Sequence, residues 1–136
     1  MTINSDELLI TSDTIVWNKG VALGKPATRE EAIEMITGLS HNTHEVITSV
    51  CLRTSNQTKV FHVTTEVTFI ALSPEEIIYY VDNYKPYDKA GAYGIQEWIG
   101  LIGIDKIKGS YTNIVGLPTT QLLQELKSFI KQHSNA

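Results

Sequence analysis

The sequence predicts one α/β domain over residues 1–136, with α+β as the alternative, built on a mixed, strongly twisted sheet with flanking helices. Two observations predict this class. Segments that carry helix-start signals alternate with β-branched runs. Two of those runs, 45–53 and 59–72, are separated by a short polar turn, which indicates an antiparallel hairpin. Because of that hairpin, a purely parallel sheet is excluded.

The composition is that of an ordinary globular protein, with 42% hydrophobic and 19% charged residues. The net charge of −4 gives no general electrostatic signal for nucleic acid or an anionic membrane, so we expect neither as a partner. No apolar run reaches the roughly 20 residues that span a bilayer. The polar, acidic start is unlike a secretory signal, and the single cysteine, Cys51, excludes an internal disulfide. Cys51 alternates with apolar neighbours and is predicted to be a core thiol. These features predict a cytoplasmic protein.

The first β-branched run covers residues 8–17 and leads through a turn to a short return strand that ends at Pro26. Its apolar content predicts a strand covered on both faces. Asp13 lies in the middle of this run, where a carboxylate requires partners because an unpaired buried charge is costly. The residue is therefore a candidate metal ligand or base for water activation, or else a structural carboxylate satisfied by the backbone and Lys25.

Two segments carry helix-start signals. Thr28 and Glu31 form a predicted capping box ahead of a helix that ends near Gly38. Ser73 and Glu76 repeat the signal ahead of a second helix, with a proline at its first position. Acidic residues in a first turn match the helix dipole, so we assign these glutamates to capping rather than to metal binding.

The second half of the chain has weaker patterns. We predict a glycine-rich connection at 87–96, a strand with a bend or bulge at 97–108, and a loop with a short strand or turn at 109–118. A last helix is predicted to begin at Thr119 or Thr120. Its apolar side is predicted to contain Leu122, Leu123, Leu126, Phe129 and Ile130.

Polar residues in the glycine-containing turns are candidates for ligand binding. Lys25, next to a glycine, could hold a phosphate as a point charge, although an exposed turn lysine is the simpler interpretation. In segment 88–96 small residues let the backbone approach a ligand, while Lys89 and Gln96 offer hydrogen-bond donors. The Gln96 amide both donates and accepts, as reading a pyrimidine edge requires. A plain glycine-rich connection is the alternative.

Polar side chains in the loop at 109–118 could also line a pocket, although packing of this loop against the last helix is an equal alternative. They are Ser110, Tyr111 and Asn113.

Four segments, in this order, resemble the Maf (septum-formation) family of nucleoside triphosphate pyrophosphatases. They are SDT at 12–14, LGKP at 23–26, DKAGAYGIQ at 88–96, and GSY, Asn113 and VGLP within 109–118. Together these segments cover most of the chain. One such motif alone would be weak, but four in the family's order are specific.

The resemblance implies a Maf/ITPase-like fold and hydrolysis of dTTP or UTP to the monophosphate and pyrophosphate. It implies a divalent metal cofactor, Mg²⁺ or Mn²⁺, held partly by Asp13, which would also be catalytic. Lys25 would be a second catalytic residue beside the triphosphate. Thr14, Lys89 and Gln96 would bind the substrate, with Thr14 and Gln96 selecting a pyrimidine. A homodimer is also expected.

The family pattern includes an N-terminal strand and a loop rich in serine and arginine that the sequence lacks, and its only arginines are Arg29 and Arg53. We therefore expect an N-terminally truncated family domain. The alternative is a catalytically impaired short form that acts as a nucleotide- or protein-binding module. A third hypothesis is an unrelated α/β domain in which Asp13 is structural.

Overall fold

A computed structural model describes residues 7–134, with side chains described as far as Lys131. The strands are β1 (Leu9–Asn18), β2 (Val21–Leu23), β3 (Thr43–Arg53), β4 (Thr58–Phe69) and β5 (Ile104–Lys108). The helices are α1 (Arg29–Leu39), α2 (Pro74–Tyr84), α3 (Trp98–Gly103), α4 (Tyr111–Val115) and α5 (Thr119–Ser134), with a 3₁₀ turn at Ala90–Ala92. No helix in this part of the chain is both long and apolar enough to cross a bilayer.

The strands form one sheet in the order β2-β1-β3-β4-β5. The predicted class, a sheet with flanking helices, is confirmed. Every pairing within residues 7–134 is antiparallel, however, so the parallel pairs of a mixed sheet are absent there and the α+β alternative describes the arrangement better. Short turns join β1 to β2 and β3 to β4 and reverse the chain there, whereas α1 lies between β2 and β3, and α2, the 3₁₀ turn and α3 lie between β4 and β5.

The hairpin of β3 and β4 is the centre of the sheet, as predicted. Its register runs without interruption from Thr43 opposite Thr68 to Arg53 opposite Thr58. The turn is closed by the Thr54 N–H, which donates to the Gln57 carbonyl over 2.9 Å. Both outer neighbours of this hairpin, β1 and β5, pair with it directly, so it determines where the site-bearing strand β1 lies.

The sheet is covered on one face. On β3 the residues of one orientation are buried, namely His44, Val46, Thr48, Val50 and Leu52. Those of the other orientation are only half-buried, and their neighbours on β1 and β4 include Trp17 and Val60, which are 39% and 54% exposed. The prediction that β1 is covered on both faces is therefore wrong. The β-branched content of β1 reflects strand propensity, because Val16 alone is fully buried among residues 9–18.

Helices α1 and α2 begin where their caps predict. The Thr28 hydroxyl accepts from the Glu31 N–H over 3.1 Å, and Ser73 and Glu76 form a complete capping box. Helix α1 continues past the predicted stop at Gly38 by one residue. An exposed, bidentate ion pair from Arg29 on α1 to Asp82 on α2 joins the two helices.

Two apolar clusters hold the helices on the covered face. The larger cluster packs α1 and α2 against β1, β3 and β4, with Ile36, Tyr80 and Phe69 among its most buried members. The smaller one packs α5 on the far end of the hairpin through Leu122 and Phe129. Two of the five residues predicted for the apolar side of α5 differ from expectation, since Leu123 and Ile130 are more than half exposed.

Two predictions for the second half are wrong. Segment 97–108, predicted as a bent strand, begins with helix α3 and only its last residues form β5. A Cβ on Gly100 would lie 1.8 Å from the Ile95 carbonyl oxygen, so glycine allows the tight turn that starts α3. The loop predicted at 109–118 contains α4, which Ser110 caps by accepting from the Asn113 N–H.

Candidate functional site

A cavity of about 320 Å³ opens between strand β1 and segment 88–96. Its walls also include Lys25 and the end of α4 with Gly116. The five residues to which the family resemblance assigns a catalytic or substrate-binding role line this cavity, namely Asp13, Thr14, Lys25, Lys89 and Gln96. The fold therefore brings together side chains that are up to 83 positions apart (96 − 13).

The position of Asp13 follows from the edge of the sheet. Strand β2 pairs only with Val16, Trp17 and Asn18, so within the described residues the stretch 12–14 is bordered by β3 on one side alone. Alternating residues at an edge reach both faces, and a ligand can contact them from the open side. Asp13 is exposed rather than buried, which corrects the sequence prediction. It also borders a second cavity, of about 260 Å³, on the uncovered face.

Lys25 is placed by a backbone contact between two turns. The Gly91 N–H donates to the Gly24 carbonyl over 3.0 Å, which holds the Lys25 turn against the 3₁₀ turn. Gly91 has a φ of +70°, and a Cβ there would lie 2.8 Å from Val16 Cγ2, so both conformation and space require glycine. The ammonium of Lys25 makes no ion pair within residues 7–134, and the predicted Lys25–Asp13 pairing is not formed.

Lys89 is held by two carboxylates. Its Nζ lies 3.2 Å from Asp88 Oδ1 and 3.6 Å from Glu97 Oε1. The hydrogen bond from Lys89 keeps the pKa of Asp88 below its usual range. Glu97 Oε1 also accepts from the Tyr80 hydroxyl over 2.8 Å, and that hydroxyl accepts from the Gly94 N–H over 3.0 Å. This network joins α2 to segment 88–96 and fixes the backbone on both sides of the ligand-facing residues.

A chain of hydroxyls leads from the cavity into the sheet. Thr14 Oγ1 lies 2.9 Å from Thr48 Oγ1, and the Thr48 hydroxyl donates to the Asn113 carbonyl over 3.2 Å. On the same wall the Ser12 hydroxyl donates to the Gly116 carbonyl over 3.2 Å. The Asn113 amide donates to the carbonyls of Val46 and Val63 on the hairpin, over 3.1 and 3.0 Å. These bonds fix α4, and with it the end wall of the cavity, on β3 and β4.

An aromatic cluster supports the cavity from within. His44 Nε2 lies 2.6 Å from the hydroxyl of Tyr93, which lines the cavity, and both rings pack edge-on with Phe69. Burial raises the pKa of the Tyr93 phenol and lowers the pKa of His44 to about 4. Both groups are therefore neutral near pH 7, and this side of the cavity carries no charge.

The arrangement offers two kinds of surface to a ligand. On one side lie the Lys25 ammonium and Lys89, which is shared with the carboxylates of Asp88 and Glu97, while Asp13 and two hydroxyls supply oxygens on the other. No cluster of three His, Cys, Asp or Glu side chains suited to a metal ion exists among the described residues. Mg²⁺ commonly takes one or two carboxylates together with water and substrate phosphates. Because Asp88 is paired with Lys89, Asp13 is the carboxylate available for such a shared ion, and the residues fit that type of site.

Other sequence candidates have structural roles. Asn113 is fully buried, Ser110 caps α4, and neither they nor Tyr111 line the cavity. The alternative, packing against the last helix, does not describe Asn113 either, because its amide donates to carbonyls of the β3–β4 hairpin. Cys51, predicted as a core thiol, is only half-buried and borders the second cavity on the uncovered face. Its alternation with apolar neighbours could not distinguish the covered face from the uncovered one.

Two contributors to the site were missed, Glu97 and Thr48. The signal for Thr48 was present: it is a polar residue at a position where the alternation of β3 predicts burial, between Val46 and Val50. Glu97 gave no signal, since its partners Tyr80 and Lys89 are brought to it by the fold.

Comparison with known proteins adds three relatives, each named dTTP/UTP pyrophosphatase. The chain is 53% identical over 128 residues to that of Flavobacterium johnsoniae, covering 94% of this chain and 66% of the relative. It is 62% identical over 117 residues to that of Flavobacterium psychrophilum, covering 86% and 60%. It is 56% identical over 125 residues to that of Bacteroides fragilis, covering 92% and 65%. The chain thus spans slightly less than two thirds of the length of these relatives.

The match to a protein family covers nearly the whole chain. The family described as Maf-like protein matches residues 1–129, a range that contains every residue assigned to the cavity above. The third hypothesis, an unrelated α/β domain, is therefore wrong. The chain belongs to the family of Maf-like proteins.

Proposed function

We propose that this chain carries the catalytic centre of a nucleoside triphosphate pyrophosphatase that converts dTTP or UTP to the monophosphate and pyrophosphate. One observation carries the proposal: the fold places Asp13, Thr14, Lys25, Lys89 and Gln96 around a single cavity. The names of the three relatives support the same substrates. Asp13 makes no ion pair within the part of the chain that the structure describes, and a binding module without catalysis would not require such a carboxylate in the cavity that Lys25 also lines.

The chemistry assigned to these residues is hydrolysis at the α-phosphorus. The oxygen of a water forms a bond to the α-phosphorus, and the bond from that phosphorus to the bridging oxygen breaks, which releases pyrophosphate. Asp13 is the base that takes a proton from the attacking water. Lys25 and Lys89 neutralise charge on the phosphates, which is where charge accumulates during phosphoryl transfer. Thr14 and Gln96 contact the nucleobase of the substrate.

A divalent cation, Mg²⁺ or Mn²⁺, is part of the proposal. Asp13 would hold it together with the triphosphate oxygens of the substrate. When bound, such a cation supplies positive charge to the phosphates and lowers the pKa of a coordinated water. Removal of divalent cations with a chelator should therefore abolish turnover, and adding Mg²⁺ or Mn²⁺ should restore it.

The proposal is tested by pyrophosphate release from dTTP, UTP, CTP and GTP with Mg²⁺ or Mn²⁺. Asp13→Asn should lower kcat for dTTP and UTP by at least about 100-fold, because it removes the base and a cation ligand. Asp105→Asn is the matched control, since Asp105 is an exposed aspartate on β5 that lines neither cavity. Equal rates for Asp13→Asn and the unmodified chain would refute the assignment. No release by a folded chain would instead favour the binding-module alternative.

Two accompanying proposals concern the setting of the protein. A cytoplasmic location is supported by the single cysteine and by the substrates proposed above. A homodimer is supported only by the uncovered sheet face with its exposed Trp17 and Val60. Measurement of the molar mass in solution by light scattering tests the dimer directly.

A further inference from the structure

Two hydroxyls near the β1 side of the cavity, Ser12 on its wall and Thr48 buried behind it on β3, donate their hydrogens to backbone carbonyls. Ser12 donates its hydrogen to the Gly116 carbonyl, and Thr48 donates its hydrogen to the Asn113 carbonyl. A carbonyl oxygen can only accept, so the direction of both bonds is fixed. On this wall the Ser12 oxygen therefore presents lone pairs to a ligand.

The direction of the bond between Thr14 and Thr48 follows from the same argument. Each hydroxyl has one hydrogen, and the hydrogen of Thr48 is directed at the Asn113 carbonyl. Thr14 must then donate to Thr48 across the 2.9 Å that separates their oxygens. The Asn113 carbonyl also accepts from the Gly116 N–H over 3.1 Å, so the reverse direction would not leave it without a donor. It would, however, place Thr48 Oγ1 and the Asn113 oxygen 3.2 Å apart with no hydrogen between them, an unfavourable contact of two lone-pair-bearing atoms in a buried site. Toward a ligand in the cavity, the Thr14 hydroxyl can therefore only accept a hydrogen bond.

Gln96 lacks this directional constraint. Its side chain is exposed, and no hydrogen bond within residues 7–134 fixes which end of its amide faces the cavity. An amide can turn over, so the same glutamine accepts from one base and donates to another. Gln96 alone therefore cannot distinguish uracil from cytosine, whereas a hydroxyl of fixed direction can.

We propose that Thr48 is a specificity-determining residue: by holding the Thr14 hydroxyl as an acceptor, it makes the site select a nucleobase whose ring nitrogen carries a hydrogen. This inference rests on the proposed function, because it assigns the ligand at Thr14 as a pyrimidine base. Uracil and thymine have a ring N–H at position 3, which can donate to Thr14. Cytosine has a bare ring nitrogen there, so two acceptors would face each other.

The burial of Thr48 explains how it acts without touching the ligand. Its side chain is 0% exposed and lies on the covered face of β3, directly opposite Thr14 in the strand register. Thr48 is therefore a positioning residue, and its removal should change which base is preferred more than the overall rate. A merely structural role would lower binding of every nucleotide equally.

The test compares UTP with CTP for Thr48→Val, which keeps the shape of the side chain and removes its hydroxyl. Thr14 then regains a free hydrogen, and the ratio of kcat/KM for UTP to that for CTP should fall about tenfold, the effect of one mismatched hydrogen bond. The ratio of dissociation constants should fall in the same way. Thr48→Ser, which restores the hydroxyl, should restore both ratios.

A matched control is available on the next strand. Thr65 is also 0% exposed and lies on the same face. It donates to the Ser110 carbonyl and accepts from the Asn113 amide over 3.0 Å, so it holds the same end of α4 that Thr48 contacts. Because Thr65 does not contact Thr14, Thr65→Val should lose comparable stability and keep the UTP preference. An unchanged ratio in Thr48→Val, or an equal change in Thr65→Val, would overturn the inference.

A second measurement uses the unmodified chain and so does not depend on a variant that folds. The triphosphate of 3-methyluridine has no ring N–H, and it should bind at least about tenfold more weakly than UTP. Equal binding of UTP and the 3-methyl derivative overturns the inference. Hydrolysis of all nucleotides without a preference for UTP also overturns the inference, but it leaves the proposed function standing. A UTP preference in binding without hydrolysis supports the inference and refutes the proposed function. Binding of neither nucleotide refutes both.

Discussion

His44 shows how a buried polar side chain links the cavity to the stability of the fold. Its Nε2 pairs with the Tyr93 hydroxyl, while Nδ1 has no partner among the described residues. Phe69 and Tyr93 surround the ring, so a second hydrogen on the imidazole would be a charge in apolar surroundings. This burial is why the pKa of His44 falls to about 4.

The low pKa of His44 predicts acid sensitivity. The unfolded chain binds a proton at this position below about pH 6.5, while the folded chain does so only below about pH 4. The free energy of unfolding should therefore be fully retained above pH 6.5 and fall by on the order of 3 kcal/mol as the pH drops to 4. His44→Gln should remove that part of the slope in urea denaturation curves measured from pH 7 to 4.

His41 supplies the control for this experiment, because it is exposed. His41→Gln should leave the pH dependence as it is in the unmodified chain. Parallel curves for His44→Gln and the unmodified chain would show that His44 does not cause the acid sensitivity.

At the same scale, the sequence identified candidate residues that line the cavity but not those that orient them. Asp13, Lys25 and Gln96 stand in recognisable motifs, and the structure brings them together. Glu97 and Thr48 act through partners 17 and 34 positions away, and no local pattern encodes such pairings. The burial predicted for Asp13 failed because its exposure depends on which strand borders β1.

At the scale of elements, a capping box in the first turn fixes where α2 begins. Ser73 accepts from the Glu76 N–H over 3.1 Å, and the Glu76 carboxylate accepts from the Ser73 N–H over 2.8 Å. Helix α2 carries Tyr80, whose hydroxyl contacts the backbone of segment 88–96. A stable first turn therefore contributes to the geometry of the cavity.

Ser73→Ala should lower the free energy of unfolding by about 1 kcal/mol, because it leaves an N–H of the first turn without its acceptor. Urea denaturation followed by circular dichroism measures the change. Ser73→Asp retains an acceptor at the cap and should lose much less. If the two variants lose the same stability, the cap is not the cause.

Elements with caps or alternation were predictable, and those defined by packing were not. The capped helices α1 and α2 and the alternating hairpin lie close to their predicted positions. Segment 97–108 is rich in isoleucine, which favours a strand locally, yet its first part forms α3 because Gly100 allows a turn against Ile95. A local turn decided that segment, and the pattern of apolar residues does not encode it.

At the scale of the whole molecule, the uneven cover of the sheet determines where substitutions matter. Val50 and Val60 are valines on neighbouring strands of the hairpin, but Val50 faces the helices at 0% exposure and Val60 is 54% exposed on the other face. Their strand propensity is the same, so the difference between them isolates burial.

Val50→Ala should cost about 2 kcal/mol in the free energy of unfolding, the transfer and cavity cost of two buried methyl groups. Val60→Ala should change the free energy of unfolding by less than about 0.5 kcal/mol, apart from the lower strand propensity of alanine, which affects both variants. Chemical denaturation of both variants gives the comparison. Equal losses would mean that the second face is covered in solution, for instance by a partner subunit.

Which faces of the sheet are covered could not be predicted from the sequence. The run at 8–17 is apolar enough for a strand with two covered faces, and only the position of the helices shows that one is open. The overall class could be predicted because alternation and capping are local, whereas the choice of face is a property of the assembled chain.

The cavity described above is enclosed by segments near residues 13, 90 and 115, which meet only in the assembled fold. A molecule held there binds the native chain and has no comparable site on the unfolded one. By mass action, a ligand at 100 times its dissociation constant would add about 2.7 kcal/mol to the free energy of unfolding. That gain would apply to the whole cooperative unit, so an occupied cavity would slow proteolysis at the distant hairpin turn near Asn56 wherever cleavage requires global unfolding.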